Sequence, residues 1–151
     1  MIEELDKKNV PWTLLLEADP DEEKVAAYIE TGEGFIWKEK NEIAGVLVYT
    51  TRQTEFEIMN LSVAEKEQGK GIGGQLLDAA FALLSARAET QKRILVRTGS
   101  TSNAALHLYR KKGYQEISRE KDYFIKNYPQ PIFENGERLR DQITLANEWK
   151  K

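Results

Sequence analysis

Four glycines fall within six residues in the segment Gln68-Gly69-Lys70-Gly71-Ile72-Gly73-Gly74, and what flanks it on either side narrows the local structure sharply. Upstream, Phe56 to Val63 alternates apolar and polar residues and then becomes apolar, as a strand entering a core does. Downstream, Ile72, Leu76, Ala80, Leu83 and Leu84 recur at helical spacing, with Gln75, Asp78, Ser85 and Arg87 on the opposite face. The segment therefore joins a strand to a long amphipathic helix that begins near Gly71. Glycine in a helix costs roughly 0.5–1 kcal/mol relative to Ala, so this density needs a reason. Small residues let successive backbone N–H groups converge on an anion, and the helix N-terminus adds the positive end of its dipole. A tight strand-to-helix turn without a ligand is the plain alternative.

Two familiar phosphate-binding patterns do not fit. Gly69, Gly71 and Gly74 satisfy the G-x-G-x-x-G spacing of dinucleotide folds, but there the glycines follow directly on a buried strand. Here Ala64-Glu65-Lys66-Glu67-Gln68 intervenes. The acidic residue expected after the next strand is replaced by Arg97-Thr98, and no Gly-Lys-Ser/Thr stands in the segment for a P-loop. What remains is an anion cradle of another kind.

No repeat, low-complexity tract or linker divides residues 1–151, so one domain is expected. Trp12 to Leu16 is read as a short strand. Asp19-Pro20 opens a helix that runs to about Thr31 and stops at Gly32. Phe35 to Lys38 and Ile43 to Thr51 form strands joined by a turn at Asn41-Glu42, too short for a crossover and so antiparallel. Ile94-Leu95-Val96 is a buried strand. Ser102 or Asn103 caps a second helix carrying Ala105, Leu108 and Tyr109 on one face, and Gly113 stops it. The tail holds a strand near Tyr114 to Arg119, a Pro-containing loop, a turn at Asn135-Gly136 and a final strand within Leu139 to Trp149.

Composition removes several classes. The net charge is −3, with 22 basic and 25 acidic residues interspersed, so the basic stripe that nucleic acid demands is missing. No apolar run approaches the roughly 18 residues of a membrane span, and the start, Met1-Ile2-Glu3-Glu4, is acidic where a signal peptide is basic. Zero cysteines leave no disulfide, thiolate metal site or Cys nucleophile, and no metal is expected. A reducing cytoplasm is the simplest compartment.

At this point the residues resemble the bacterial GNAT acetyltransferases. Their acetyl-CoA loop reads Gln/Arg-x-x-Gly-x-Gly/Ala, which Gln68 to Gly73 matches at each fixed position. A second block, Asn-x-x-Ala/Ser-x-x-Leu-Tyr-x-Lys-x-Gly-Phe/Tyr, is approached by Asn103 to Tyr114, with Asn103, Leu108-Tyr109 and Gly113-Tyr114 in place. The likeness spans about residues 55 to 115. In the tail, Asp122-Tyr123-Phe124, Ile132 to Gly136 and Arg140-Asp141 resemble a subgroup labelled amino-acid or indoleacetate-type. The resemblance implies an α/β (α+β) fold. Its sheet would be mixed and mostly antiparallel, with about six to seven strands flanked by helices and a splayed pair of parallel central strands.

It also implies a mechanism. An amine attacking a thioester must be neutral, its oxyanion stabilised and the departing thiolate protonated; an alkyl ammonium has a pKa of about 10.4, so proton removal matters. The acetyl-CoA site would comprise Leu61, Ser62 and Val63 through their backbone, the cradle Gln68, Gly69, Lys70, Gly71, Ile72, Gly73 and Gly74, and Asn103. Tyr109 would reprotonate the thiolate, though such a tyrosine on an apolar face is also an ordinary core residue. Glu57 is the candidate base, with Glu55 on the same face; a solvated strand-edge carboxylate is the alternative for both. His107 is expected to be exposed. The acceptor, a small amine or amino acid, would be framed by the Asn127 to Asn135 loop and the first helix near Tyr28. Asp122, Glu134 and Asp141 would suit a cationic amine. A protein N-terminal or lysine acetyltransferase and a non-catalytic acyl-CoA sensor are the alternatives. A homodimer is compatible with the family, and Trp149 is a candidate contact.

Overall fold

Local turn chemistry sets the first half of the sheet. Strands β2 (Glu33–Glu39) and β3 (Glu42–Thr51) are joined by Lys40 and Asn41, both at positive φ (50° and 69°), as a two-residue hairpin turn with the strands' own twist requires. The computed structural model describes residues 1–134 and 136–149. The expected turn at Asn135-Gly136 therefore lies partly outside the described residues.

The other elements are β1 (Ile2–Glu4), α1 (Trp12–Ala18), α2 (Glu22–Thr31), β4 (Glu55–Val63), α3 (Ile72–Arg87), β5 (Arg93–Gly99), α4 (Asn103–Lys111), β6 (Gln115–Glu120), α5 (Tyr123–Asn127), β7 (Phe133–Glu134), β8 (Glu137–Arg138) and β9 (Gln142–Glu148). Seven strands form one sheet in the order β1-β2-β3-β4-β5-β9-β6, and β7-β8 is a separate hairpin. Every neighbouring pair in the large sheet is antiparallel except β4 and β5. That parallel pair is central, and it is the one that comes apart, as described below.

Helices α3 and α4 cover one face of the sheet. Leu76, Leu77, Ala80 and Leu84 pack there on Phe35, Leu47, Phe56, Ile94 and Leu145. Helices α1 and α2 cover part of the other face, where Leu15, Val25 and Ile29 meet Ile36, Val46 and Val48. The α3 phase differs by one position from expectation: Leu83 is exposed and Leu77 is buried.

Three further readings need correction. Trp12 to Leu16 is helical, not a strand. Leu, Glu and Ala favour a helix, the segment carries no β-branched run, and β4 anchors its carbonyls. Asn60 Nδ2 donates to the Leu15 carbonyl at 2.9 Å and Ser62 Oγ to that of Leu14 at 2.7 Å. The cap of α2 is Asp21, whose Oδ1 accepts from the Glu23 and Lys24 N–H groups; Asp19 instead accepts from the Asp21 N–H one turn earlier. Trp149 is packed against the rings of Phe56 and Phe81, each centroid 6.0 Å away, so it is not a free contact surface.

Candidate active site

Pairing between β4 and β5 ends at Ile58 with Val96. Beyond it, β4 stays bonded to β3 as far as Val63 but has no strand on its other side. The backbone of Asn60 to Val63 thus borders a gap between diverging strands, and a cavity of about 980 Å³ opens there. Its walls come from β4 and β5, from α2 through Ala27 and Tyr28, from α4 through Ala105 and Tyr109, and from the tail through Phe124 and Tyr128.

The glycine segment lies at the helix end of this gap. Gly69 and Gly71 have φ of +82° and +83°, a conformation in which glycine alone is unstrained. Gly71 occupies the N-cap of α3 and no side chain among the described residues caps it, so the first N–H groups of the helix are without protein partners there. A Cβ on Gly69 would meet nothing within 4 Å, which leaves this side of the loop open. These features fit the pyrophosphate of coenzyme A. Gly73 and Gly74 have a different reason for being small: a Cβ there would stand 3.2 Å from Leu108 and 3.0 Å from Lys112, so they let α3 and α4 approach. Two side chains of the loop are engaged inside the protein. Gln68 Nε2 donates to the Val63 carbonyl at 3.1 Å, and the Lys70 ammonium pairs with Glu67 at 2.8 Å.

Tyr109 projects from α4 into the cavity and is 6% exposed. Burial pushes its phenol above the usual tyrosine value, because a phenolate would lack hydration. Its ring meets Tyr114 edge-on with centroids 5.7 Å apart. Asn103 is the first residue of α4 and exposed, with Ser102 in the N-cap place and no side-chain cap bond. His107 is exposed and away from the cavity lining.

Glu57 is buried, 4% exposed, and lines the cavity between two arginines. Arg52 Nη2 lies 2.9 Å from its Oε1, outside hydrogen-bond alignment, and the Arg97 guanidinium contacts its Oε2. The Glu57 carboxylate in turn holds Arg97 above its ordinary value. Glu55 is turned to Arg93, 3.2 Å away.

The opposite wall carries a network in which Tyr28 and Tyr128 fall in the helix and tail loop expected there, while Asn60 and Asp19 were not expected. Asn60 Nδ2 faces the Leu15 carbonyl, which can only accept, so the amide orientation is fixed. The same nitrogen meets the Tyr28 hydroxyl at 2.9 Å, and Asn60 Oδ1 is left buried without a partner among the described residues. Tyr28 and Tyr128 both donate to Asp19, at 3.4 and 3.3 Å. Lys24 Nζ sits 4.0 Å from the centre of the Tyr128 ring. The tail segment is thereby tied to α2 across the cavity mouth. Of the three acidic residues expected to face an amine, only Glu134 lines this cavity, and it accepts from Ser102 Oγ. Asp122 and Asp141 are spent locally: Asp141 accepts from the Asp122 N–H, and Arg140 lies 3.9 Å from Asp122. Asp19 stands where they were expected. It was legible only as a helix-opening residue, since its partners Tyr28 and Tyr128 are 9 and 109 positions away.

A family model described as "Acetyltransferase (GNAT) domain" matches residues 30–116. The curated relative "Uncharacterized N-acetyltransferase YvbK" of Bacillus subtilis (strain 168) is 40% identical over 136 residues, covering 89% of this chain and 86% of the relative. A structure titled "IAA acetyltransferase from Bacillus cereus ATCC 14579" is 41% identical with a TM-score of 0.92, covering 99% of both chains. A GNAT family acetyltransferase from Elizabethkingia anophelis with acetyl-CoA bound is 37% identical, again with a TM-score of 0.92, covering 99% of this chain and 97% of that one. Among the described residues no group of three His, Cys, Asp or Glu could hold a metal ion, and no helix is long and apolar enough to cross a membrane.

Proposed function

The chain belongs to the GNAT acetyltransferase family and is an acetyl-CoA-dependent acyltransferase; from that premise we propose that residues 1–151 act as one domain that acetylates the primary amine of a small molecule or amino acid by direct attack. The observation that carries the small acceptor is the bonded mouth of the cavity. Tyr128 reaches Asp19 and Lys24 from the tail, so the cavity is bridged on that side and does not run on as an uninterrupted groove. A peptide-modifying enzyme needs the groove.

Bound acetyl-CoA supplies the activated thioester. The free N–H groups at the start of α3 and the left-handed glycines 69 and 71 hold its pyrophosphate. The β4 backbone at Leu61, Ser62 and Val63, free of β5, takes the pantetheine arm and polarises the carbonyl. Ser62 acts there through its backbone, because its hydroxyl is committed to Leu14. Asn103 lies beside the arm. Tyr109, protonated because burial raises it, donates to the departing thiolate. Glu57, oriented by Arg52 and Arg97, accepts the proton of the attacking amine through water.

A panel of amines and amino acids assayed by free-thiol release from acetyl-CoA tests this reading. Turnover with small amines and none with protein N-termini or lysyl peptides is expected. Peptide turnover exceeding that of every small amine would overturn the acceptor class. Failure to bind acetyl-CoA in calorimetry would remove the cradle.

A further inference from the structure

A second cavity, of about 510 Å³, adjoins the transfer chamber and shares Arg97, Glu120 and Gln142 with it. It lies on the sheet face opposite α3 and α4, over β5, β9 and β6, with α5 contributing Lys126. Strand register builds its floor: Arg97 pairs with Thr144 and Thr144 with Ser118, while Gly99 pairs with Gln142 and Gln142 with Glu120. A guanidinium, two hydroxyls and an amide thus lie side by side on one face. Around this floor stand Arg119, Lys121 and Lys126.

The charge is lopsided. Four cationic side chains line this cavity against one carboxylate, Glu120. Arg119 is neutralised by Glu116 at 3.3 Å and Asp141 at 3.9 Å, and Arg97 shares Glu57. Lys121 and Lys126 have no ion-pair partner among the described residues. In a chain of net charge −3, the two lysines beside the acyl-transfer gap are thus the cations of this cavity that no ion pair among the described residues engages. Arg97 is also the first β5 residue beyond the last β4 pair, so along β4 its level is about two residues, roughly 7 Å, from Leu61. That is the scale of a small metabolite.

We infer that this floor is the anion subsite of the acceptor: the amine substrate carries a carboxylate or phosphate that Arg97, Lys121 and Lys126 hold over Thr144 and Ser118, while its nitrogen enters the gap. This inference rests on the small-amine reading above.

The test uses matched acceptor pairs in the thiol-release assay: an α-amino acid with its carboxamide, and an aminoalkyl phosphate with its amino alcohol. The anionic member should exceed its neutral partner by about tenfold or more in kcat/KM, and the pair showing the larger ratio names the anion. In Lys126→Glu, and more mildly in Lys121→Ala, that preference should collapse through acceptor KM, with the KM for acetyl-CoA unmoved. Neutral amines or diamines used as well as the anionic members would overturn the subsite, as would a Lys126→Glu enzyme that keeps the preference. If acetyl-CoA binds but no acceptor releases thiol, the transferase reading is what fails. The subsite is then read by titrating inorganic phosphate or acetate into CoA-saturated protein. Saturable binding weakened by Lys126→Glu supports it, and its absence overturns it.

Discussion

Tyr109 and Glu57 make separable predictions because in the proposed mechanism one donates a proton and the other takes one. Tyr109→Phe removes only a hydroxyl from a buried ring, so folding should persist. We expect kcat to fall roughly 10²–10⁴-fold with the KM for acetyl-CoA little changed, read by steady-state kinetics. Burial raises the Tyr109 phenol, so the acid form persists as pH rises, and the pH–rate profile should show no alkaline loss from it below pH of about 10. Glu57→Gln should slow turnover at neutral pH by a comparable roughly 10²-fold or more, with activity recovering as pH approaches the ammonium pKa of about 10.4, where the amine sheds its own proton. A uniform loss across pH would assign Glu57 to holding Arg52 and Arg97 instead. At this scale the sequence was legible where function follows a motif. Tyr109 could be singled out from Leu108-Tyr109 and Gly113-Tyr114, whereas Asp19, Asn60 and Tyr128 act through partners far along the chain.

The contact between α3 and β3 depends on Gly45. A Cβ there would stand 2.9 Å from Ile72 and 3.1 Å from Leu76. Gly45→Ala should therefore destabilise by about 1–3 kcal/mol in urea unfolding, since both neighbours belong to a filled core. Gly71→Ala acts at the other end of the same element. It forces a non-glycine residue to φ near +83°, at about 1–2 kcal/mol, and turns the free N–H groups away. Weaker acetyl-CoA binding by calorimetry is the expected accompaniment. The hydrophobic period revealed α3 and the strands, but not α1. Trp12 to Leu16 is too short for periodicity to separate helix from strand, and only the β4 side chains Asn60 and Ser62, some 45 and 48 residues on, settle it.

At the scale of the molecule, the proposed acetyl-CoA site is built from α3, β4 and α4, elements the unfolded chain does not assemble. Acetyl-CoA at about 100 times its Kd should raise stability by about 2.7 kcal/mol, visible as a higher Tm in calorimetry. Cutting the tie between tail and α2 with Tyr128→Phe should raise acceptor KM severalfold while sparing the KM for acetyl-CoA. By itself the sequence determined the donor side: a glycine-rich strand-to-helix turn with a tyrosine helix downstream is local chemistry, written in consecutive residues whose φ angles, N–H groups and helical phase need no distant partner. Tertiary structure alone decided where the strand gap opens and how the proposed acceptor side is assembled. The β4–β5 pairing had to end at Ile58 and Val96 to open the gap, and β9 had to enter between β5 and β6 to lay Thr144 beside Arg97. Hydrogen bonds and charge pairs between residues tens of positions apart leave no periodicity to read, so the pocket exists only once the sheet has closed.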